Sequence, residues 1–380
     1  MGSLLNFVFL SDVLEKNGDD LLSITGPLFW HIKSQEYSYT LNGEIRDGYK
    51  NLLMIEGRCS LDSFYYTNQE IIDFILNNDV KLIAASIADP TNTECYIKVK
   101  NKLESILPNK FYIIDSNTSF NDCFTLDYFI EEAVSENNKK NTFGIINDLG
   151  YLSEDIDIDE LDKIRYKKFL SFNRTTDKPH RASLLHEYLT NDYSDSYFSF
   201  LTKIQNLGDI PNIGNISNNR DFYNNKLPIE LDTRNTNNKN GFGVGGTFKK
   251  ELFLNSCIHI VTETSFENNE LFLSEKGLKP IIMYQPFIVF GPFGYLKRLK
   301  KYGFKTFSDF WDESYDDIED YRKRLDVLIK LVNELNKKSI EELNELYKKT
   351  KNICIYNRGI FDSLELNTFS KIFKQIENEW

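Results

Sequence analysis

The sequence predicts an α/β protein built from two parallel-sheet halves and a helical tail. Three observations carry this. Apolar runs of strand length alternate with helix-length patterns in both halves, an acidic stretch without apolar periodicity separates them, and from Asp316 onward the pattern turns to long helices. At 380 residues the chain also exceeds what one hydrophobic core usually organises. The expected bounds are 1–155 and 156–355 for the two domains, and 356–380 for a C-terminal helix packing back on the first.

In the first half, Asn51 to Arg58 reads as a strand, Asn68 to Asn78 as a helix, Val80 to Ala88 as a strand, Tyr96 to Leu107 as a helix and Lys110 to Asp115 as a strand. Phe143 to Ile146 adds a further short strand. Such alternation implies parallel strands joined by crossover helices. The strands end near Glu56, Asp89 and Asp115, and in this class the carboxyl ends of strands are where ligands bind. Ser153 to Leu161 (SEDIDIDEL) is the expected connection between domains.

In the second half, Lys168 to Phe172, Tyr197 to Leu201, Cys257 to Val261 and Pro286 to Phe290 read as strands. His180 to Leu189 and Gly294 to Tyr302 read as helices, and Asn206 to Asn240, rich in Asn, Asp and Gly, as long loops. Helices over Asp317 to Leu335 and Ser339 to Thr350, and a last one ending near Trp380, form the tail.

Composition narrows the function classes. The net charge of -12 repels polyanions, so a nucleic acid would need a local basic groove. Five scattered cysteines without a CxxC pair fit free thiols in a reducing compartment better than a disulfide framework or a zinc site. The N-terminal MGSLLNFVFL has no basic segment before its short apolar run, and no stretch reaches the roughly 18 apolar residues of a membrane span. A cytoplasmic protein is expected.

The residues able to carry chemistry gather in three places. Lys167 to Leu189 (KKFLSFNRTTDKPHRASLLHEYL) delivers Arg174 into a loop and Arg181 to the start of a helix, where guanidinium groups and helix N–H donors suit a phosphate. His180 and His186 on that helix are expected to be packing residues rather than catalysts. Asn240 to Lys250 (NGFGVGGTFKK) carries Gly241, Gly243 and Gly246 in a formal GxGxxG, but behind an Asn-rich loop rather than a strand, so it reads as a loop from which Lys249 could reach a diphosphate.

Ile258 to Gly294 (IHIVTETSFENNELFLSEKGLKPIIMYQPFIVFGPFG) is the third. A strand runs into Glu263, and Ser274, Glu275 and Lys276 then open a helix. Placed so, the carboxylates would accept sugar or ribose hydroxyls and Lys276 would neutralise a departing phosphate. The bland alternative is that Ser274 simply caps the helix. The acidic cluster Asp312, Glu313, Asp316 and Asp317 is read as helix-start carboxylates rather than a metal site.

VTET, LFLSEKGLKPI, QPFIVFGPFGYLKRLKKYGFKTF and WDESYDD together resemble the C-terminal half of glycosyltransferase-like proteins of phages and large viruses. The core of the pattern is similar to the donor-binding region of the α1,3-fucosyltransferases, over about Lys167 to Arg324. The resemblance implies a GT-B architecture of two Rossmann-like domains with the active site in the cleft between them. It also implies a GDP- or UDP-sugar donor as substrate, no tightly bound cofactor and no metal. Glu263, Ser274, Glu275 and Lys276 would contact the donor, and Arg174 would bind phosphate. The likeness departs after Glu263, where Thr264-Ser265 stands for the usual Asn-Ser, and it does not reach the N-terminal half.

The expectation is a metal-independent glycosyltransferase acting on a hydroxyl of a saccharide or glycoconjugate. Glu56 and Asp89 are the favoured bases, ahead of Asp115. The rival readings are a transferase acting on hydroxymethylated bases of viral DNA and a nucleotide-sugar-binding protein without catalysis.

Overall fold

A computed structural model describes residues 5–9, 32, 37–41, 43–56, 69–86, 91–127, 130–131, 156–204, 209–210, 213–231, 250–267 and 270–380. Asp89, Lys249, the three glycines of the GxGxxG and Phe143 to Ile146 lie outside the described residues. Internal contacts divide the chain into one unit of Met1–Glu131, Glu270–Phe272 and Leu366–Trp380, and another of Glu132–Asn269 and Leu273–Glu365. The α/β class and the parallel sheets are as the alternating pattern predicts.

The first unit is a six-stranded parallel sheet. Its strands are β1 (Leu5–Val8), β2 (Ser38–Thr40), β3 (Lys50–Glu56), β4 (Val80–Ser86), β5 (Phe111–Asp115) and β6 (Phe124–Thr125), in the order β2-β1-β3-β4-β5-β6. The sequence reading missed β1 and β2. The four residues of β1 are all buried, and Phe7 pairs with Leu52 of β3. β1 is only four residues long and is interrupted by the buried Asn6, which bonds Thr40 and Asn51, so it shows no continuous apolar run. Helix α1 (Gln69–Asn77) buries Ile71, Ile72 and Ile75. Helix α2 (Thr93–Ile106) buries Tyr96, Val99 and Leu103 at helical spacing and starts where the Asn92 side chain accepts from Cys95 N. These faces meet Leu53, Ile55, Leu82 and Ala84 in one core. The chain's last helix also belongs to this unit, where Phe373 packs 4.8 Å from the Phe7 ring and Glu131 accepts the Phe369 N–H.

Asp115 closes β5 fully buried. Its Oδ1 accepts Thr91 N at 3.2 Å and Asn117 N at 2.7 Å, tying the start of α2's approach at Thr91 to the segment after β5.

The second unit carries a four-stranded parallel sheet in the order β12-β11-β7-β8. After a 3₁₀ turn (Ile158–Asp162) come β7 (Lys167–Asn173), α3 (Pro179–Thr190), β8 (Tyr197–Phe200), a two-stranded antiparallel hairpin of β9 (Asp209–Ile210) and β10 (Gly214–Asn215), and short helices α4 (Arg220–Asn224) and α5 (Lys250–Leu254). Then follow β11 (Ser256–Thr262), α6 (Glu275–Ile282), β12 (Phe287–Phe290), α7 (Tyr295–Lys301), α8 (Tyr321–Asn336), α9 (Ile340–Ser363) and, in the first unit, α10 (Thr368–Asn378).

Every residue of β11 and β12 is buried, as befits central parallel strands. Helix α9 opens on a capping box between Ser339 and Glu342. It runs well past Thr350, where the sequence reading ended it, because its buried stripe continues through Cys354, Asn357 and Phe361 and Gly359 alone does not break a packed helix. Helix α9 lies against α6 and β11, and α8 against α3. The aromatics Phe307, Trp311 and Tyr315 are core residues, Phe307 and Trp311 stacking at 5.1 Å.

Burial lifts the Asp115 carboxyl from 3.8 to about 6, against hydrogen bonds from Thr91 and Asn117 that favour ionisation. Since its folded value lies above the unfolded one, the stabilisation is full at acid pH and is lost as pH rises toward about 6. Asp115→Asn keeps an oxygen acceptor and removes the titration. Urea unfolding across this pH range should show the variant gaining on the parent by about 1.4 kcal/mol per pH unit and levelling off above it. A pH-independent difference would contradict the assignment.

Candidate functional site

Where a parallel sheet reverses its strand order, the connections leave in opposite directions and open a crevice at the strands' carboxyl ends. In the second unit β7 is followed by β8 on one side, whereas β11 pairs on the other. The reversal therefore falls between β7 and β11, at Asn173-Arg174 and Thr262-Glu263. Small polar side chains replace the apolar core there. Thr262 Oγ1 donates to Asn173 Oδ1 at 2.8 Å, Asn173 Nδ2 donates to Ser171 Oγ at 3.2 Å, and Ser171 Oγ donates to the Ile260 carbonyl at 2.9 Å.

Glu263 sits at the centre of this edge with no solvent exposure. Its Oε1 accepts the Tyr295 hydroxyl at 2.6 Å and Ser274 N at 3.3 Å. Its Oε2 accepts the Ser274 hydroxyl at 2.5 Å and Thr264 N at 3.2 Å. Its backbone carbonyl accepts from His180 Nε2 at 3.0 Å and Arg181 Nη2 at 3.1 Å. A buried carboxylate survives only when its lone pairs are filled in this way. Glu263 and the Ser274 helix start thus converge on each other, and Glu263 acts as a hub for the edge rather than an outward-facing group.

Ser274 caps α6 by accepting Lys276 N at 3.2 Å, and Glu275 stands in the first turn. Lys276 Nζ reaches Glu275 Oε1 at 3.0 Å and Thr264 Oγ1 at 3.1 Å while a quarter of its side chain remains accessible. Burial alone would raise the Glu275 carboxyl, but Lys276 and Lys279 outweigh it and hold the group below its usual range. Capping and the cationic cluster are therefore the same structure seen twice.

The two arginines part company. Arg174, exposed directly after β7, points its residue position at the crevice edge. Arg181 is buried, and its guanidinium bonds Thr175 Oγ1 at 2.6 Å and the carbonyls of Thr262 at 3.3 Å and Glu263 at 3.1 Å. Burial holds it below its ordinary value, against the pull of Glu263, Asp177 and Glu275. Arg181 is a strut between α3 and β11. His180 is fully buried beside it, stacked on Phe266 at 4.7 Å, and carries its proton on Nε2 because a carbonyl oxygen faces that atom. Burial and then Arg181 push it well below its ordinary value, so it stays neutral. His186 meets the Tyr223 hydroxyl through Nδ1 at 2.8 Å.

Three contributors escaped the sequence reading. Tyr295 lies thirty-two residues from Glu263, beyond any local spacing. A Cβ on Gly277 would stand 2.0 Å from the Tyr295 hydroxyl, so only glycine lets that phenol reach Glu263. Arg324, buried in α8, donates to the Phe266 carbonyl and to Ile318 O at 2.6 Å, pinning the loop after β11.

Of the acidic cluster, Asp316 accepts Leu296 N at 2.8 Å and Lys297 N at 2.9 Å and so starts α7, the helix that carries Tyr295. Glu313 accepts Phe307 N at 2.7 Å, and Asp312 accepts Ser314 N at 2.9 Å. In the first unit the order reverses between β1 and β3, which puts the backbone of Glu56 at that sheet's reversal point.

No family model and no curated protein matches this chain. Two solved structures align with it. One, an α1,3-fucosyltransferase, is 15% identical with a TM-score of 0.41 over 99% of this chain and 89% of that one. The other, an α1,3-fucosyltransferase with GDP, is 11% identical with a TM-score of 0.33 over 92% and 90%. Among the described residues, no helix is long and apolar enough to cross a membrane.

Gly277→Ala should cost about 1–3 kcal/mol, because the phenol must leave a filled buried site. Chemical denaturation measures this, and a variant as stable as the parent would show that the Tyr295–Glu263 contact is dispensable.

Proposed function

We propose that the crevice between β7 and β11 holds the diphosphate of a nucleotide-activated sugar, and that the protein is a glycosyltransferase. The observation that carries this is the cationic edge at the sheet's reversal point. Arg174 leaves β7 there, Lys276 opens α6, and α3 begins at Pro179 behind Lys178, an N-cap residue that makes no side-chain cap bond. A linked chain joins them, since Asn173 bonds Thr262 and Thr264 bonds Lys276. In a chain of net charge -12, cations and helix N–H donors gathered at one strand edge favour an anion locally.

The chemistry follows from the placement. Departure of a nucleoside diphosphate develops negative charge on phosphate oxygens, and fixed ammonium and guanidinium groups stabilise it without a metal ion. Glu275, buried yet held below its usual range by Lys276 and Lys279, serves to fix the Lys276 ammonium through their ion pair. Glu263, Ser274 and Arg181 set the positions of these groups. Transfer to a saccharide or glycoconjugate hydroxyl also requires a base. The carboxyl-end residues of the first sheet supply the candidates: Glu56 by its place at the reversal point, and Asp89 by sequence alone. Asp115, buried and bonded to Thr91 N and Asn117 N, is assigned to structure.

Thermal shift with GDP and UDP, paired with hydrolysis of a panel of GDP- and UDP-sugars, tests the reading. One nucleoside diphosphate at a hundredfold excess over its Kd should add about 2.7 kcal/mol of stability, and the matching sugar nucleotide should release it. Arg174→Ala and Lys276→Ala should each weaken binding by about tenfold. Stabilisation without turnover of any sugar nucleotide would reduce the protein to a binding module, and no stabilisation by either nucleotide would remove the donor site.

A further inference from the structure

Among the described residues, the Tyr295 hydroxyl is the side-chain donor to the Glu263 carboxylate that comes from outside the segment between β11 and α6. It arrives from α7, whose start is fixed by two N–H bonds to Asp316 and by Gly294 N bonding the Asp316 carbonyl. Gly294 adopts φ 76°, the left-handed region that favours glycine, immediately before Tyr295. Gly277 leaves the phenol room to enter, and a Cβ there would also stand 3.1 Å from Tyr295 Cζ and 3.5 Å from Glu263 Oε1. Three separate local features therefore serve a single hydrogen bond.

That bond is one of four that orient the carboxylate, beside those from Ser274 N, the Ser274 hydroxyl and Thr264 N. With Oε1 held by Tyr295, Oε2 is the oxygen that takes the Ser274 hydroxyl, and Ser274 Oγ in turn accepts Lys276 N and lies 3.4 Å from Lys276 Nζ. The relay runs from Tyr295 through Glu263 and Ser274 to Lys276, and its last member is the ammonium group facing the crevice. We propose that Tyr295 is a positioning residue for the proposed donor site, setting through Glu263 and Ser274 where the Lys276 ammonium stands and hence how tightly a nucleoside diphosphate binds. The proposal rests on the donor-site reading above. Tyr295 itself, buried behind Glu263, touches no ligand.

Tyr295→Phe removes the donor and keeps the ring in place, so the helix and its packing remain. The comparison variant is Ile329→Val, a buried position on α8 whose loss of one methylene lowers stability without touching the relay. Nucleoside diphosphate Kd is measured by calorimetry with GDP and UDP on all three proteins, together with their thermal midpoints and, for the sugar nucleotide that is turned over, KM and kcat separately.

The expected result is a Kd about tenfold weaker for Tyr295→Phe, with KM for the donor raised in step, and an unchanged Kd for Ile329→Val. Tyr295→Phe/Lys276→Ala should then bind no more weakly than Lys276→Ala alone, because both changes act on the same ammonium. A lowered midpoint with an unchanged Kd in Tyr295→Phe would overturn the positioning role while leaving the donor site standing, as would additive losses in the double variant. Failure of the parent protein to bind either nucleotide would instead overturn the donor-site reading, and the positioning role with it.

Discussion

A carboxylate without solvent at the end of β11 is the constraint on which this edge of the second unit depends. Removing an ionised group from water costs several kcal/mol, and the cost is offset only by donors brought to fixed places. The surrounding sequence supplies them. Ser274 gives its hydroxyl and its N–H, Thr264 its N–H and Tyr295 its phenol. Gly277 exists as glycine because the phenol must pass it, and Asp316 and Arg324 fix the segments on either side. Each is individually ordinary. Together they tie the end of β11 to the start of α6 at the sheet's reversal point.

These bonds have an electrostatic consequence. The charged and titratable groups are divided between buried ones that hold the edge and accessible ones beside it. Arg181 and His180 belong to the first kind, bonded to the carbonyls of Thr262 and Glu263, and the neutral state of His180 avoids a second buried cation beside Arg181. Arg174 and Lys276 belong to the second. An anion met at this edge would find charges whose positions are already set, so little ordering remains to be done on binding.

Much of this architecture was legible in the chain. Parallel strands covered on both faces read as largely apolar runs, so β3, β4, β5, β7, β8, β11 and β12 are visible, and polar residues stand at several of their carboxyl ends. What the sequence hides is burial and distance. Leu5–Val8 is four residues long and broken by the buried Asn6, too short and too mixed to announce a strand. Arg174 and Arg181 look alike as cations flanking one loop, and only the fold turns one inward. Glu263 and Ser274 were expected to converge on a ligand, and they converge on each other. Tyr295 leaves no local signal, since its partner lies on another element. Gly277 did leave one: a glycine inside the first turns of a helix has a reason, and here the reason is a phenol at its back.

The most direct test of the account is a crystal structure of the protein soaked with the nucleoside diphosphate that stabilises it. Phosphate oxygens should lie within hydrogen-bond distance of Lys276 Nζ and of the Arg174 guanidinium, at the carboxyl ends of β7 and β11, with the Glu263–Tyr295 bond intact. A diphosphate bound elsewhere, or bound here through Arg181 with the Glu263 hub broken open, would contradict it.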